Sequence, residues 1–286
     1  MAHLPDTIGS LAQVEGRYLA LFCDVWGVVH NGERAFAESA QALAAARDKG
    51  IAVVLITNSP RPHDGVEAQL RALGVPDAAW DRIVTSGDVT RDLIAAGPRR
   101  IFHLGPDRDH PIFGGLDIEL VEEFEADAVV CTGPYDEEAD TLDGYAELLM
   151  RLRARNLPFI CANPDVVVER GEKLIWCAGA LARDFARLGG RTLIAGKPHA
   201  PIYEAALRAA AAVLGKDVER AGVLCIGDGV MTDIKGAADN GFDSLYISGG
   251  IHAREHGGPL EPDENLLAAF LGRHGYKPVA TMPRLR

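Results

Sequence analysis

The chain has 286 residues, 48% apolar and 24% charged, with a net charge of -12 at pH 7. This is ordinary for a globular protein with a sizeable core, arranged as two domains or one large one. The negative balance argues against non-specific binding to nucleic acid or to an anionic membrane, which rely on clustered Lys and Arg.

In chain order, the N-terminal segment Met1-Ala2-His3-Leu4-Pro5-Asp6 has neither the basic region nor the apolar core of a secretory signal, and no apolar stretch approaches the roughly 18 residues of a membrane span. A cytoplasmic location is expected. The first strong strand signal is the apolar run 19–23, which ends in Asp24 and breaks into Val25-Trp26-Gly27-Val28-Val29-His30-Asn31-Gly32. A helix is expected over residues 37–49, stopped by Gly50. The second strand, 51–56, ends in Thr57-Asn58-Ser59. Helices are expected over 63–73, closed by Gly74, and from a cap at Ser86 to about residue 96, closed by Gly97-Pro98. Residues 100–104, 128–131 and 158–161 read as strands, and 141–156 as a helix with Leu142, Tyr145, Leu148, Leu149 and Leu152 on one face. The run 192–195 ends in Gly196-Lys197, Pro201 opens a helix reaching Leu214, and the run 222–226 ends in Gly227-Asp228. Beyond Glu261 the sequence reads as one short helix and an irregular, basic tail, 277–286.

This alternation predicts an α/β fold with a parallel sheet. The expected layout is discontinuous: a core from residues 1–86 and 191–286, and an α/β insert, 87–190, acting as a lid. The five cysteines are odd in number, well separated and mostly within apolar runs, so they read as small buried hydrophobes in a reducing compartment.

Four apolar runs thus end in polar heads, and in an open parallel sheet the ligand crevice lies outside the carboxyl ends of the strands. Asp24, Asp228 and Asp233 gathered there would repel one another without a cation. A hard divalent ion such as Mg²⁺, bridging to a substrate phosphate, resolves this. Lys197, Thr57 and Asn58 could then hold the remaining phosphate oxygens, and the inventory matches phosphoryl transfer through an aspartyl-phosphate. The acidic segment at 228–233 is not an EF-hand, Gly196-Lys197 is not a Walker A loop, and no dinucleotide fingerprint follows any strand.

Taken together, these segments resemble the haloacid dehalogenase superfamily, and within it the NagD-type or nitrophenylphosphatase-like branch. Asp24-Val25-Trp26-Gly27-Val28, Leu55-Ile56-Thr57-Asn58-Ser59, Gly196-Lys197-Pro198 and Gly227-Asp228-Gly229-Val230-Met231-Thr232-Asp233 resemble its four motifs in order. Thr85-Ser86-Gly87-Asp88, Ala162-Asn163-Pro164-Asp165 and Cys177-Ala178-Gly179-Ala180-Leu181 resemble that branch in and around the cap. The resemblance implies a Rossmann-like core with an inserted α/β cap, and a homodimer through the cap. It implies that Asp24 is nucleophile and metal ligand, that the Trp26 carbonyl, Asp228 and Asp233 complete the Mg²⁺ site, and that Thr57, Asn58, Ser59 and Lys197 hold the phosphoryl group. Asn163 and Asp165 become candidate substrate contacts. The substrate class is a small phosphorylated metabolite, a sugar phosphate or a nucleotide.

One position departs from the pattern. The family's phosphatases carry a second aspartate two residues after the nucleophile as general acid and base, and here it is Trp26. An indole N–H only donates and cannot shuttle protons near neutrality, whereas positioned acid–base catalysis is worth about 10²- to 10⁴-fold. Slow hydrolysis is expected, with His30, His63 and His199 as the substitutes suggested by sequence position. The alternative is a catalytically impaired relative that binds a phosphorylated ligand or partner; dehalogenation remains a minor third reading.

Overall fold

The computed structural model describes residues 5–170 and 173–286. Of the segment read above for a leader, residues 1–4 lie outside the described residues. The strands are β1 (Asp6–Thr7), β2 (Ala20–Asp24), β3 (Ala52–Thr57), β4 (Arg82–Thr85), β5 (Arg100–Leu104), β6 (Glu119–Leu120) and β7 (Ala128–Cys131). They continue with β8 (Phe159–Cys161), β9 (Val167–Arg170), β10 (Lys173–Trp176), β11 (Thr192–Ile194), β12 (Val223–Gly227), β13 (Asp243–Ile247) and β14 (Ala280–Met282). The helices are α1 (Ala37–Asp48), α2 (His63–Ala72), α3 (Ser86–Ala95), α4 (Ala146–Ala154), α5 (Ala178–Arg187), α6 (Ala200–Leu214), α7 (Lys235–Asp239) and α8 (Glu264–His274).

The chain divides into two units: residues 1–57, 67–84 and 203–286 form the first, and residues 58–66 and 85–202 the second. The seven-stranded sheet has the order β1-β14-β13-β12-β2-β3-β4. β12 pairs parallel with β2 and β2 with β3, every residue of these three strands is buried, and Asp24 lies opposite Ile56. Strands buried on both faces are the long apolar runs of a parallel sheet, which is why they were visible in the sequence.

The second unit has its own sheet, β11-β8-β7-β5-β6, with every neighbouring pair parallel. One side of its core joins Leu149, Leu152, Leu181 and Phe185 of α4 and α5 to Val129, Phe159 and Cys161. The other gathers Ile94 of α3 with Ile101, Val130 and Ile160. β9 and β10 form a separate antiparallel hairpin. All five cysteines are buried and unbridged. Among the described residues no helix is long and apolar enough to cross a membrane.

Three local expectations are corrected. The run ending in Gly196-Lys197 belongs to the second sheet, where Thr192, Leu193 and Ile194 pair with Phe159, Ile160 and Cys161; a polar strand end marks a carboxyl edge but does not say which sheet owns it. The tail is not wholly irregular, because Ala280–Met282 is a buried strand pairing parallel with β13 and β1. Helix α3 is capped by Thr85 rather than Ser86: Thr85 Oγ1 accepts from Asp88 N–H at 2.9 Å and Asp88 Oδ2 accepts from Thr85 N–H at 3.2 Å, a capping box.

Candidate active site

The carboxyl edge of the first sheet carries the acidic residues. Asp24 ends β2, Asp228 follows β12, and Asp233 lies in the π-helical turn Val230–Ile234 that comes next. One carboxylate oxygen from each lies within 4.8 Å of the other two, and all three residues are buried. Backbone amides fix them: Val25 N–H donates to Asp24 Oδ1 at 2.7 Å, Gly229 N–H to Asp233 Oδ2 at 2.9 Å, and Ile251 N–H to Asp228 Oδ2 at 2.8 Å. A π-turn widens the helical ring by one residue and recurs at functional sites; here it sets Asp233 beside the strand end. Three buried carboxylates this close demand a compensating charge, and an all-oxygen donor set suits a hard divalent cation.

Two glycines permit this packing. A Cβ on Gly27, which has φ +85°, would lie 2.1 Å from Asp228 Oδ2, and one on Gly250 would lie 1.9 Å from the same atom. The sequence pointed to Asp228 but not to the 250–251 loop that buttresses it, since that contact spans 23 residues and no local pattern encodes it.

Trp26 is half-buried, its indole centroid 5.0 Å from the His30 ring in an edge-on arrangement. Gly32 lies against the same indole, where a Cβ would approach to 2.5 Å. His30 is 1% exposed, and its Nδ1 accepts from Gly32 N–H at 2.9 Å, which assigns the proton of a neutral ring to Nε2. Of the other histidines suggested as substitutes, His63 is exposed and pairs with Asp88 at 3.1 Å, and His199 is exposed on the second unit.

The carboxyl edge of the second sheet carries the amide and the ammonium. Lys197, two residues beyond Ala195 at the end of the β11 run, is 2% exposed. Asn58 clamps its backbone: Asn58 Oδ1 accepts from Lys197 N–H at 2.8 Å and Asn58 Nδ2 donates to Lys197 O at 3.2 Å. The same Nδ2 donates to Asp165 Oδ1 at 2.9 Å, and Asp165 N–H donates to Asn163 Oδ1 at 3.1 Å. Asn58, Lys197, Asp165 and Asn163 therefore form one connected block. Ser59 O accepts from Gly87 N–H at 3.0 Å, and its Oγ accepts from Arg61 N–H at 3.3 Å, so Ser59 holds its own turn. Thr57 is the last residue of β3 and is buried in the first unit, one position beyond the partner of Asp24.

Residues 21–119 match the model of a haloacid dehalogenase-like hydrolase family, and residues 194–269 match a second model of the same kind. A crystal structure of a haloacid dehalogenase-like hydrolase from Brucella suis 1330 is 60% identical, covers 99% of this chain and 100% of its own, and superposes with a TM-score of 0.89. The chain belongs to the haloacid dehalogenase-like family. A second relative is the 5'-nucleotidase YutF of Bacillus subtilis, 26% identical over 84% of this chain and 90% of its own. At the level of fold, the 4-nitrophenylphosphatase of Thermotoga maritima has a TM-score of 0.70 at 24% identity, covering 94% of this chain and 95% of its own. This haloacid dehalogenase-like chain thus has the parallel-sheet core and second α/β unit expected from its ordered motifs.

Proposed function

We propose that this protein is a Mg²⁺-dependent phosphatase or phosphotransferase that acts on a small phosphorylated metabolite, a sugar phosphate or a nucleotide, through an aspartyl-phosphate at Asp24. The observation that carries this reading is the buried convergence of Asp24, Asp228 and Asp233 at one strand edge. Bound Mg²⁺, held by Asp24, Asp228, Asp233 and the Trp26 carbonyl, would neutralise charge on the carboxylates and on the phosphoryl oxygens.

In this reading the Asp24 carboxylate attacks phosphorus as the bond to the leaving oxygen breaks, the departing oxyanion takes its proton from solvent, and water then cleaves the acyl phosphate to free Asp24 and release phosphate. The hydrogen bond from Val25 N–H to Asp24 Oδ1 fixes the orientation of the attacking carboxylate. The Lys197 ammonium and the Thr57 hydroxyl hold equatorial phosphoryl oxygens. The Asn58 side chain is committed to Lys197 and Asp165, so its contribution is to position Lys197, with any donation to phosphate falling to its main-chain N–H. Asp165 acts with it as a positioning residue, and Asn163 orders the same loop.

Because Trp26 cannot transfer a proton, turnover is expected to be slow and to favour leaving groups that depart without protonation. Phosphate release from a panel of phosphorylated metabolites, with and without Mg²⁺, tests the reading; no release from any of them, in a protein that still binds them, would favour the impaired relative that Trp26 also motivates. Trp26→Asp is expected to raise turnover by about tenfold or more, part of the worth of a positioned acid, and an unchanged rate would show that the indole is not what limits hydrolysis. A cytoplasmic setting and self-association through the second unit complete the proposal; gel filtration tests the latter.

A further inference from the structure

Beyond Lys197 and Asn58, the carboxyl edge of the second sheet carries a cluster that the phosphoryl chemistry does not use. The order β11-β8-β7-β5-β6 means that the chain leaves β5 for β6 on one side and returns to β7 on the other. That reversal is a topological switch point, where open parallel sheets bind ligands beyond their carboxyl ends. The β5 loop supplies Arg108 and Asp109, the β7 loop supplies Thr132 and Glu137, and the β9 end supplies Arg170.

These side chains meet there. Glu137 accepts from Arg170 at 2.7 Å and pairs through its other oxygen with Arg108. Burial works to raise the Glu137 carboxyl, but the hydrogen bonds from Arg170 and Arg108 outweigh it and hold it below the usual range. Asp109 is 4% exposed, and Thr132, which favours its charged form, has its Oγ1 3.0 Å from His103 Nε2. Arg61, three residues beyond Asn58, feels the charges of Asp109, Arg108, Glu137 and Arg170, with burial working against its own charge. Two guanidinium groups, Arg108 and Arg170, thus share the one carboxylate of Glu137, and burial pushes the nearby Asp109 towards its neutral form. The cluster keeps a positive surplus in a protein of net charge -12, and a guanidinium fork is the donor that recognises carboxylate or phosphate in a plane.

We infer that Arg61, Arg108 and Arg170 form a subsite for a second anionic group on the substrate, a carboxylate or a further phosphate, remote from the phosphoryl group held by Lys197. The inference rests on the phosphoryl-transfer reading above and narrows its substrate class to metabolites charged at both ends. Along this sheet β7 and β5 stand two and three strands from β11, roughly 10–14 Å at the usual strand spacing, and the arginine side chains shorten that gap. A doubly charged sugar or a ligand of nucleotide size fits the interval.

The test uses three compounds matched in size: glucose 6-phosphate with a neutral far end, 6-phosphogluconate with a carboxylate there, and glucose 1,6-bisphosphate with a phosphate. At least one of the two doubly charged compounds is expected to exceed glucose 6-phosphate by about tenfold or more in kcat/KM, as a charge-assisted fork contact implies, and the better of them identifies the group. In Arg61→Gln, Arg108→Gln and Arg170→Gln that ratio should fall towards one, with recovery in the corresponding Lys variants smaller than full because the fork is lost. A wild-type ratio near one, or variants that weaken all three compounds equally, would overturn the inference and leave the cluster a structural ion-pair network. Equilibrium binding of the same compounds to Asp24→Asn reads the subsite without chemistry: preference there without any turnover by wild type would refute the catalytic proposal and keep the subsite, while equal or undetectable binding of all three would refute the subsite.

Discussion

The molecule uses the same device twice with opposite charge. The first sheet ends its central strands in Asp24 and Asp228, with Asp233 in the following turn; the second ends its strands near Lys197, Asn163 and the Arg108 and Thr132 loops. Both sheets bury apolar central strands, and the difference in charge lies in the residues at and just past the carboxyl ends. Strand interiors determine stability there and strand ends determine chemistry, which is how the proposed function divides cation binding and anion binding between two α/β layers.

The largest break in that contrast is at the acidic edge. Asp24→Asn is expected to lower phosphate release by about 10⁴-fold or more, as loss of a covalent nucleophile does, in a steady-state assay with any substrate that wild type turns over. Next, Mg²⁺ is expected to raise the thermal midpoint of wild type by a few degrees at saturating concentration, because it binds only the folded carboxylate trio. Chelation should reverse this, and Asp228→Asn should show little response; a midpoint indifferent to Mg²⁺ would count against the metal reading.

The second edge is sharpened by Asn58→Ala, which strips partners from the Lys197 amide and from Asp165. Losing these hydrogen bonds costs about 1–3 kcal/mol, measurable by urea unfolding, and kcat should fall along with stability because Lys197 loses its clamp. The smallest effect is a pH dependence. Burial, reinforced by His110 and opposed by Asp107, pushes His103 down to about 4 from 6.5. Between those values the unfolded chain holds more protons than the folded one, so His103 leaves stability untouched above about pH 6.5 and erodes it as pH falls towards about 4. Urea midpoints between pH 7.5 and 4.5 should decline less steeply in His103→Gln than in wild type.

How much of this was legible in the sequence follows from how far each feature reaches. β2, β3, β7 and β12 were visible because burial on both faces writes an unbroken apolar run, and the three aspartates were visible because each sits at or soon after such a run. β1 and β14 are two and three residues long, and nothing local distinguishes them from loop until β14 pairs with β13 and β1 with β14. β11 was seen as a strand but assigned to the wrong sheet, since Thr192 carries no mark of its partner Phe159. The bonds from Asn58 to Asp165 and Lys197 span 107 and 139 positions, and the arginine cluster joins segments from residue 61 to residue 170. Such convergence is a property of topology, and a single sequence offers motif order as its only proxy.

Gly27 and Gly250 bracket the Asp228 carboxylate so closely that a methyl group on either would overlap it. A saturation library selected for function should therefore return glycine at both positions, even though neither can donate, accept or ionise through a side chain. Redesign beside Asp228 meets the same wall, because neither glycine position has room for a side chain next to its carboxylate.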